Sequence, residues 1–176
     1  MEKNKVPIVE KDKPLWFSMW FLASVATFGV ALFPMFYQFV QRRNKHFSRL
    51  NELENQVRTV SKNSTLPEKA EFLPVRNAKL WAASVILIIP IFVITYLLSV
   101  DLNIHENHEK EFFAVVLPDS DYMVQRIGTR KYVLLAVVTL GVGVIYWLYK
   151  IINAYNNHFK WERSLEVRVV ELMEMK

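Results

Sequence analysis

Three stretches of this sequence carry no charged residue: 14–41, 80–100 and 132–149. An α-helix rises about 1.5 Å per residue, so about 20 apolar residues cross a hydrocarbon core of roughly 30 Å. Each stretch reaches that length or comes close, the third only if Lys150 carries its charge out to the headgroups. The pattern predicts an all-α membrane protein with three transmembrane helices, at about Leu15–Val40, Leu80–Val100 and Tyr132–Ile152. The first is about twice as long as the apolar region of a secretory signal, and no small-x-small cleavage pattern follows Pro34 before Arg42, so it is expected to stay as a span.

The first and third stretches are related. Shifting the chain by 112 residues aligns Leu22–Val57 with Leu134–Val169 without a gap, and twelve of the 36 positions are identical. The matches include Thr27/Thr139, Gly29/Gly141, Tyr37/Tyr149, Asn44/Asn156, His46/His158, Phe47/Phe159 and Glu54/Glu166. Polar, glycine and aromatic identities are not explained by shared hydrophobicity, so we read a duplication. Two copies with the same heading need an odd number of crossings between them, which the stretch 80–100 supplies. The sequence then divides into an extracytoplasmic tail (1–14), a first repeat (15–62), a cytoplasmic linker (63–79), a second span (80–100), an extracytoplasmic loop (101–131) and a second repeat (132–176).

Charge orients this arrangement. Nine Lys and Arg residues lie between the first and second stretches and five from Lys150 onward, against four before the first and four between the second and third. The excess of positive charge on cytoplasmic segments predicts a multi-pass cell-membrane protein with the N-terminus outside and the C-terminus in the cytoplasm, opposed by Lys3, Lys5, Lys11 and Lys13. The net charge of +5 flanks apolar segments, which favours lipid headgroups over nucleic acid as the basic residues' partner. Trp16, Trp20, Trp81, Tyr132, Trp147 and Trp161 are expected as interfacial anchors.

Helix pairing is the main packing expectation. Thr27 with Ala31, and Thr139 with Gly143, repeat a small-x-x-x-small spacing that lets membrane helices approach closely. Leu53, Val57 and Val60, with Leu165, Val169 and Leu172, continue as a short heptad-like seam beyond the membrane. Two long continuous helices are predicted, over about 15–61 and 130–173, paired like a short coiled coil. Asn63, Ser64 and Pro67 would end the first, and Pro90 would kink the second span. The short apolar run Phe112–Leu117 is expected at the membrane interface.

The segment Thr139-Leu-Gly-Val-Gly-Val-Ile-Tyr-Trp-Leu-Tyr-Lys150 resembles the TLGIYxxYWxYK signature of an uncharacterised prokaryotic membrane family, a domain of unknown function. The first copy, from Thr27 to Tyr37, keeps less of it: Ala31 and Pro34 stand at the pattern's tyrosines, as Gly143 does at the first of them in the second copy. The resemblance covers about a dozen residues per copy and implies a membrane location without an activity.

Chemical signals are few. There is no cysteine, so disulfides and thiolate metal sites are excluded. No ionisable residue lies inside a predicted span, which weighs against ion-coupled transport. Hydrolase and nucleotide-binding signatures are absent from the sequence. His46 and His158, equivalent in the repeat, could ligate haem or a metal as a pair, and His105 with His108, flanked by Glu106 and Glu109, could hold one on the other side of the membrane. The sequence requires no cofactor, and the reading it favours is a non-catalytic interaction protein, an accessory or scaffold subunit bound to membrane lipids and to other subunits or itself. Two alternatives stand beside it. One is an insertase-like or lipid-handling factor, since three spans with a cytoplasmic helix resemble the core of the Oxa-type insertases; the other is a haem or metal subunit through His46 and His158.

Overall fold

Each of the three apolar stretches is broken near its middle. The computed structural model describes residues 12–61, 66–67 and 73–175, and these form six α-helices and no strand. They are α1 (Phe17–Ala26), α2 (Leu32–Ser61), α3 (Ala78–Ser84), α4 (Ile89–Val116), α5 (Thr129–Val138) and α6 (Gly143–Glu174). Lys3, Lys5 and Lys11 of the expected tail, and the stop signals Asn63 and Ser64, lie outside the described residues.

The breaks in the first and third stretches are the same turn. Phe28 and Leu140 both adopt φ 50°, followed by Gly29 at 93° and Gly141 at 96°. Gly29 N–H donates to the Ser24 carbonyl and Gly141 N–H to the Ala136 carbonyl, each at 2.7 Å, the glycine-terminated ending that satisfies the last carbonyls of a helix. The threonine before each break works on both sides of it. Thr27 Oγ1 donates to the Ala23 carbonyl and accepts from Ala31 N–H; Thr139 Oγ1 donates to the Leu135 carbonyl and accepts from Gly143 N–H. The expected contact between helices at these threonine and small-residue pairs is therefore corrected: they build the reversal itself.

Gly143 is constrained by space. A Cβ there would stand 2.7 Å from Thr139 Oγ1, 2.8 Å from Leu135 Cγ and 3.0 Å from the Leu135 carbonyl oxygen. Gly143→Ala is expected to lower stability by about 1–3 kcal/mol, as overpacking does. At Gly128, whose nearest neighbour is the flexible Lys131 side chain at 3.6 Å, Gly128→Ser should change it by less than about 0.5 kcal/mol, both read from unfolding in mild detergent.

The arms fold back rather than run on. Leu15 N–H and the Arg42 guanidinium donate to the same oxygen, Asn156 Oδ1, at 3.0 and 3.1 Å, although a straight helix would part them by about 40 Å. Arg76, ahead of α3, donates to both carboxylate oxygens of Asp101 at 2.6 and 2.7 Å, where a straight helix would give about 37 Å. In the third stretch the Tyr132 and Trp147 rings lie 6.0 Å apart. The expected continuous helices over 15–61 and 130–173 are thus hairpins, each a short arm and a long helix. Pro90 sits in the first turn of α4, where its missing N–H costs nothing, instead of kinking a span.

The long helices α2, α4 and α6 run parallel, as the order of their contacts shows: Arg43 with Asp101 and His46 with His105 on α2 and α4, Arg49 with Glu166 on α2 and α6. They pack in layers. Met35, Phe36, Phe39, Ile94, Leu98, Ile151 and Tyr155 belong to an apolar core next to the hairpins, and Leu50, Leu53, Val57, Phe113, Leu165 and Val169 to a second core further along. Between them lies a layer of buried polar and charged side chains. The segment 101–131, expected as an extracytoplasmic loop, contributes the second half of α4 to this layer. Its run Phe112–Val116 is the last turn of α4, with Phe112 and Phe113 in the second core.

Among the described helices only α4 is long and apolar enough to cross a membrane, and 44% of its most apolar window is buried inside the fold.

Candidate metal centre

Each long helix sends one histidine into the polar layer: His46 from α2, His105 from α4 and His158 from α6. His46 and His158, equivalent in the repeat, bring their Nε2 atoms within 3.2 Å of each other. Glu162, one turn beyond His158, places Oε2 at 2.7 Å from His46 Nε2 and 2.8 Å from His158 Nε2. One ligand atom from each of His46, His105, His158 and Glu162 lies within 4.8 Å of the others, and all four residues are buried.

The rings are held from behind. His46 Nδ1 is 3.1 Å from Asp12 Oδ2, and His158 Nδ1 is 2.9 Å from Glu106 Oε1, so each ring meets a carboxylate on one nitrogen and turns the other to the centre. This is how carboxylates fix the tautomer and orientation of metal-binding imidazoles. Phenylalanines set the ring planes: Phe159 lies 3.9 Å from the His46 ring and Phe47 3.8 Å from that of His105. Asp12 is in turn fixed by Arg49, which also donates to both oxygens of Glu166.

Burial sets the electrostatics. It pushes His46 down to about 3, with the nearby histidines adding to the effect, and it pushes His105 down as well. His158 goes the other way: burial opposes its charge, but Glu162, Glu106 and Glu109 outweigh it and hold it well above the ordinary value. Glu162 is raised by burial and by the negative charge of Glu109, which exceed the pull of His158. For Glu109 burial is outweighed by His105 and His158, which hold it below the usual range.

Several of these atoms lack hydrogen bonds. Glu106 Oε2 and Glu162 Oε1 are buried without a hydrogen-bond partner, while Glu106 Oε1 and Glu109 Oε1 meet His158 Nδ1 and His105 Nε2 at 2.9 and 2.8 Å as ion pairs without hydrogen-bond geometry. Leaving such oxygens unsatisfied is costly, and a cation among them would relieve it. Metal–nitrogen and metal–oxygen bonds of about 2.0–2.2 Å put tetrahedral donors about 3.3 Å apart. The three closest donors, at 2.7–3.2 Å, need to move outward by only a few tenths of an ångström. Glu109, with Oε2 accepting from the Tyr122 hydroxyl at 3.1 Å, stands beside the centre as a further carboxylate. A cavity of about 60 Å³ between α2 and α4, walled by Phe47, Leu50, Phe112 and Phe113, reaches His105 and Glu109 and is large enough to admit water.

Of the sequence's candidates, His46, His158 and His105 come together and His108 does not. His46 and His105, expected on opposite sides of a membrane, have ring centroids 5.6 Å apart. His108 instead contacts Glu54 Oε2 at 3.0 Å. Burial raises the Glu54 pKa, but His108 and Arg58 outweigh it and the net shift is downward. A lowered carboxylate stabilises the fold while ionised, and that contribution is lost as pH falls below its ordinary value of 4.5. Glu54→Gln is therefore expected to lower stability at neutral pH and to flatten the acid limb of a pH–stability curve, so that the two proteins converge at low pH.

The haem reading of His46 and His158 does not fit. An iron between two imidazoles needs about 4 Å between the ligating nitrogens, and Glu162 stands against both rings where a porphyrin would lie. Glu162, Glu106, Glu109 and Asp12 were not singled out from sequence as part of a site with His46 and His158. The His158-x-x-x-Glu162 spacing, which puts both on one helix face, was the signal available. Leu53, Val57, Leu165 and Val169 lie together in the second core, while Val60 and Leu172 remain 41% and 39% exposed along a cleft at its far end. No family model matches the chain, and comparison with curated proteins and with solved structures finds no match either.

Proposed function

We propose that the protein is a membrane-associated metalloprotein that holds one divalent transition-metal ion on His46, His105, His158 and Glu162. The observation that carries this reading is the convergence of three imidazoles, from three separate helices, on a buried carboxylate. Imidazole and carboxylate donors without thiolate suit zinc or ferrous iron rather than copper(I) or an iron–sulfur cluster. Asp12 and Glu106 supply the outer carboxylates, and Glu109 is placed either to enlarge the coordination or to take a proton from a bound water.

Membrane association is supported by the uncharged hairpins and their exposed apolar turns. Three crossings with the N-terminus outside form no part of the proposal, because the two ends of each apolar stretch meet on one side. Elemental analysis of the protein purified in mild detergent without chelators is the test. About one zinc or iron per chain is expected, and a protein that neither carries nor takes up either ion would end the reading.

An accessory subunit of a membrane assembly is the second reading, favoured by Val60 and Leu172 exposed beside the cleft between the long helices. It predicts a stoichiometric protein partner that copurifies and is lost on Leu172→Glu.

A further inference from the structure

The hairpins have a depth, and the depth is half that of a bilayer. Arms α1 and α5 are ten residues each, about 15 Å of helix against a hydrocarbon core of roughly 30 Å. Their turns and that of the second hairpin expose much apolar surface: Phe28 is 98% and Leu140 95% exposed, and Ile86, Leu87, Ile88 and Ile89 at the second turn are 67–76% exposed. Exposed bulky residues at positive φ have no folding advantage in water, and a contiguous apolar patch marks a surface that something covers.

All three turns lie at the same end. Asn156 ties both ends of the first hairpin to α6, Asp101 ties the base of the second to Arg43 on α2, and Asn103 ties Ile127, at the base of the third, to α4. Since α2, α4 and α6 are parallel and each begins at its turn, the three turns project together. Charges stop where the arms begin. Lys13, Arg42, Lys79, Arg130, Lys131 and Lys150 ring the bases and none stands beyond them. Trp16, Tyr96, Tyr146 and Tyr149 add half-exposed or exposed aromatic rings to the arms and upper helices. An apolar wedge one leaflet deep, with a basic rim, is complementary to a leaflet that carries anionic headgroups.

We infer that the protein is monotopic: three helical hairpins enter one leaflet of a phospholipid bilayer from one side and none crosses, so the metal layer and the C-terminal ends of all three long helices face the same aqueous compartment. The inference rests on the membrane part of the proposal above and is independent of the metal. At the first and third turns the threonine and glycine bonds satisfy backbone groups that would otherwise meet hydrocarbon unpaired.

The chain has no native cysteine, which allows single-cysteine mapping in sealed membrane vesicles of one orientation. Lys45→Cys on α2, Lys110→Cys on α4 and Lys160→Cys on α6 are exposed positions on the polar body. A membrane-impermeant maleimide is expected to label all three from the same face, whereas Phe28→Cys and Leu140→Cys resist it from both faces. A fluorophore on either turn should be quenched by lipids brominated deep in their acyl chains. Labelling of Lys110→Cys from the face opposite to Lys45→Cys and Lys160→Cys would overturn the inference in favour of crossing helices while leaving membrane association intact. Turn cysteines that crosslink efficiently to a second copy or another protein, unquenched by brominated lipid, would overturn it in favour of a protein partner. A chain that stays in the supernatant of high-speed centrifugation would instead remove the membrane part of the proposal.

Discussion

His158→Ala is expected to abolish stoichiometric metal binding, and Glu106→Gln to weaken it by about 10–100-fold. The two differ because His158 offers its Nε2 to the centre directly, whereas Glu106 acts on the opposite nitrogen of the same ring at 2.9 Å. Glutamine keeps the size of Glu106 and loses the charge that orients and polarises the imidazole. Asp12→Asn should behave like Glu106→Gln, since Asp12 stands in the same relation to His46. Competition against a chelator of known affinity reads the whole series. A structural polar cluster without a metal would instead show the three substitutions in unfolding experiments and have no chelator-dependent signal to lose. X-ray absorption of the loaded protein adds an independent check, with three nitrogen scatterers and at least one oxygen expected in the first shell.

Asp101→Ala is expected to cost about 3–5 kcal/mol, among the largest effects of any single change outside the metal centre. Asp101 is 3% exposed and holds two guanidinium groups, Arg43 at 3.0 Å and Arg76 at 2.6 Å. Removing it leaves Arg43, itself 1% exposed, as a buried cation without a carboxylate, held by the Pro74 carbonyl, the Asn44 side chain, Tyr155 and the face of the Phe47 ring. The loss should be visible as a large drop in thermal stability in detergent. Arg76→Ala should cost less, because Arg43 still neutralises the carboxylate and Arg76 is the more exposed of the two. If the two single variants were equal, the buried pair would not be the feature that fixes α3 and α4 against α2.

Much of this was legible in the sequence. The 112-residue repeat placed His46 and His158 at equivalent positions, and the structure joins them at 3.2 Å. The direction of the chain through the apolar stretches was not legible. A charge-free stretch such as 14–41 is compatible with one long helix or with two short arms and a turn, and hydropathy is the same for both. The turn is encoded by Thr27-Phe28-Gly29 and Thr139-Leu140-Gly141, but threonine and glycine are ordinary inside membrane helices and so carry little information there. One expectation then shaped the other. Treating 80–100 as a crossing put His105 across the membrane from His46, and with it Glu106 and Glu109, so the acidic half of the centre was divided from the basic half.

The shared anchor at Asn156 also bears on how such a chain reaches its final place. A protein that threads loops through a bilayer must drag each Lys, Arg, Asp and Glu of those loops across hydrocarbon, at several kcal/mol apiece, and cells supply a protein-conducting channel for that step. Here both ends of the first hairpin stay beside the same asparagine, and only uncharged residues lie between them. On the one-leaflet placement inferred above, insertion tip first would require no hydrophilic segment to be translocated, and a route independent of the secretory channel would follow from the way one side chain holds two ends of a helix pair together.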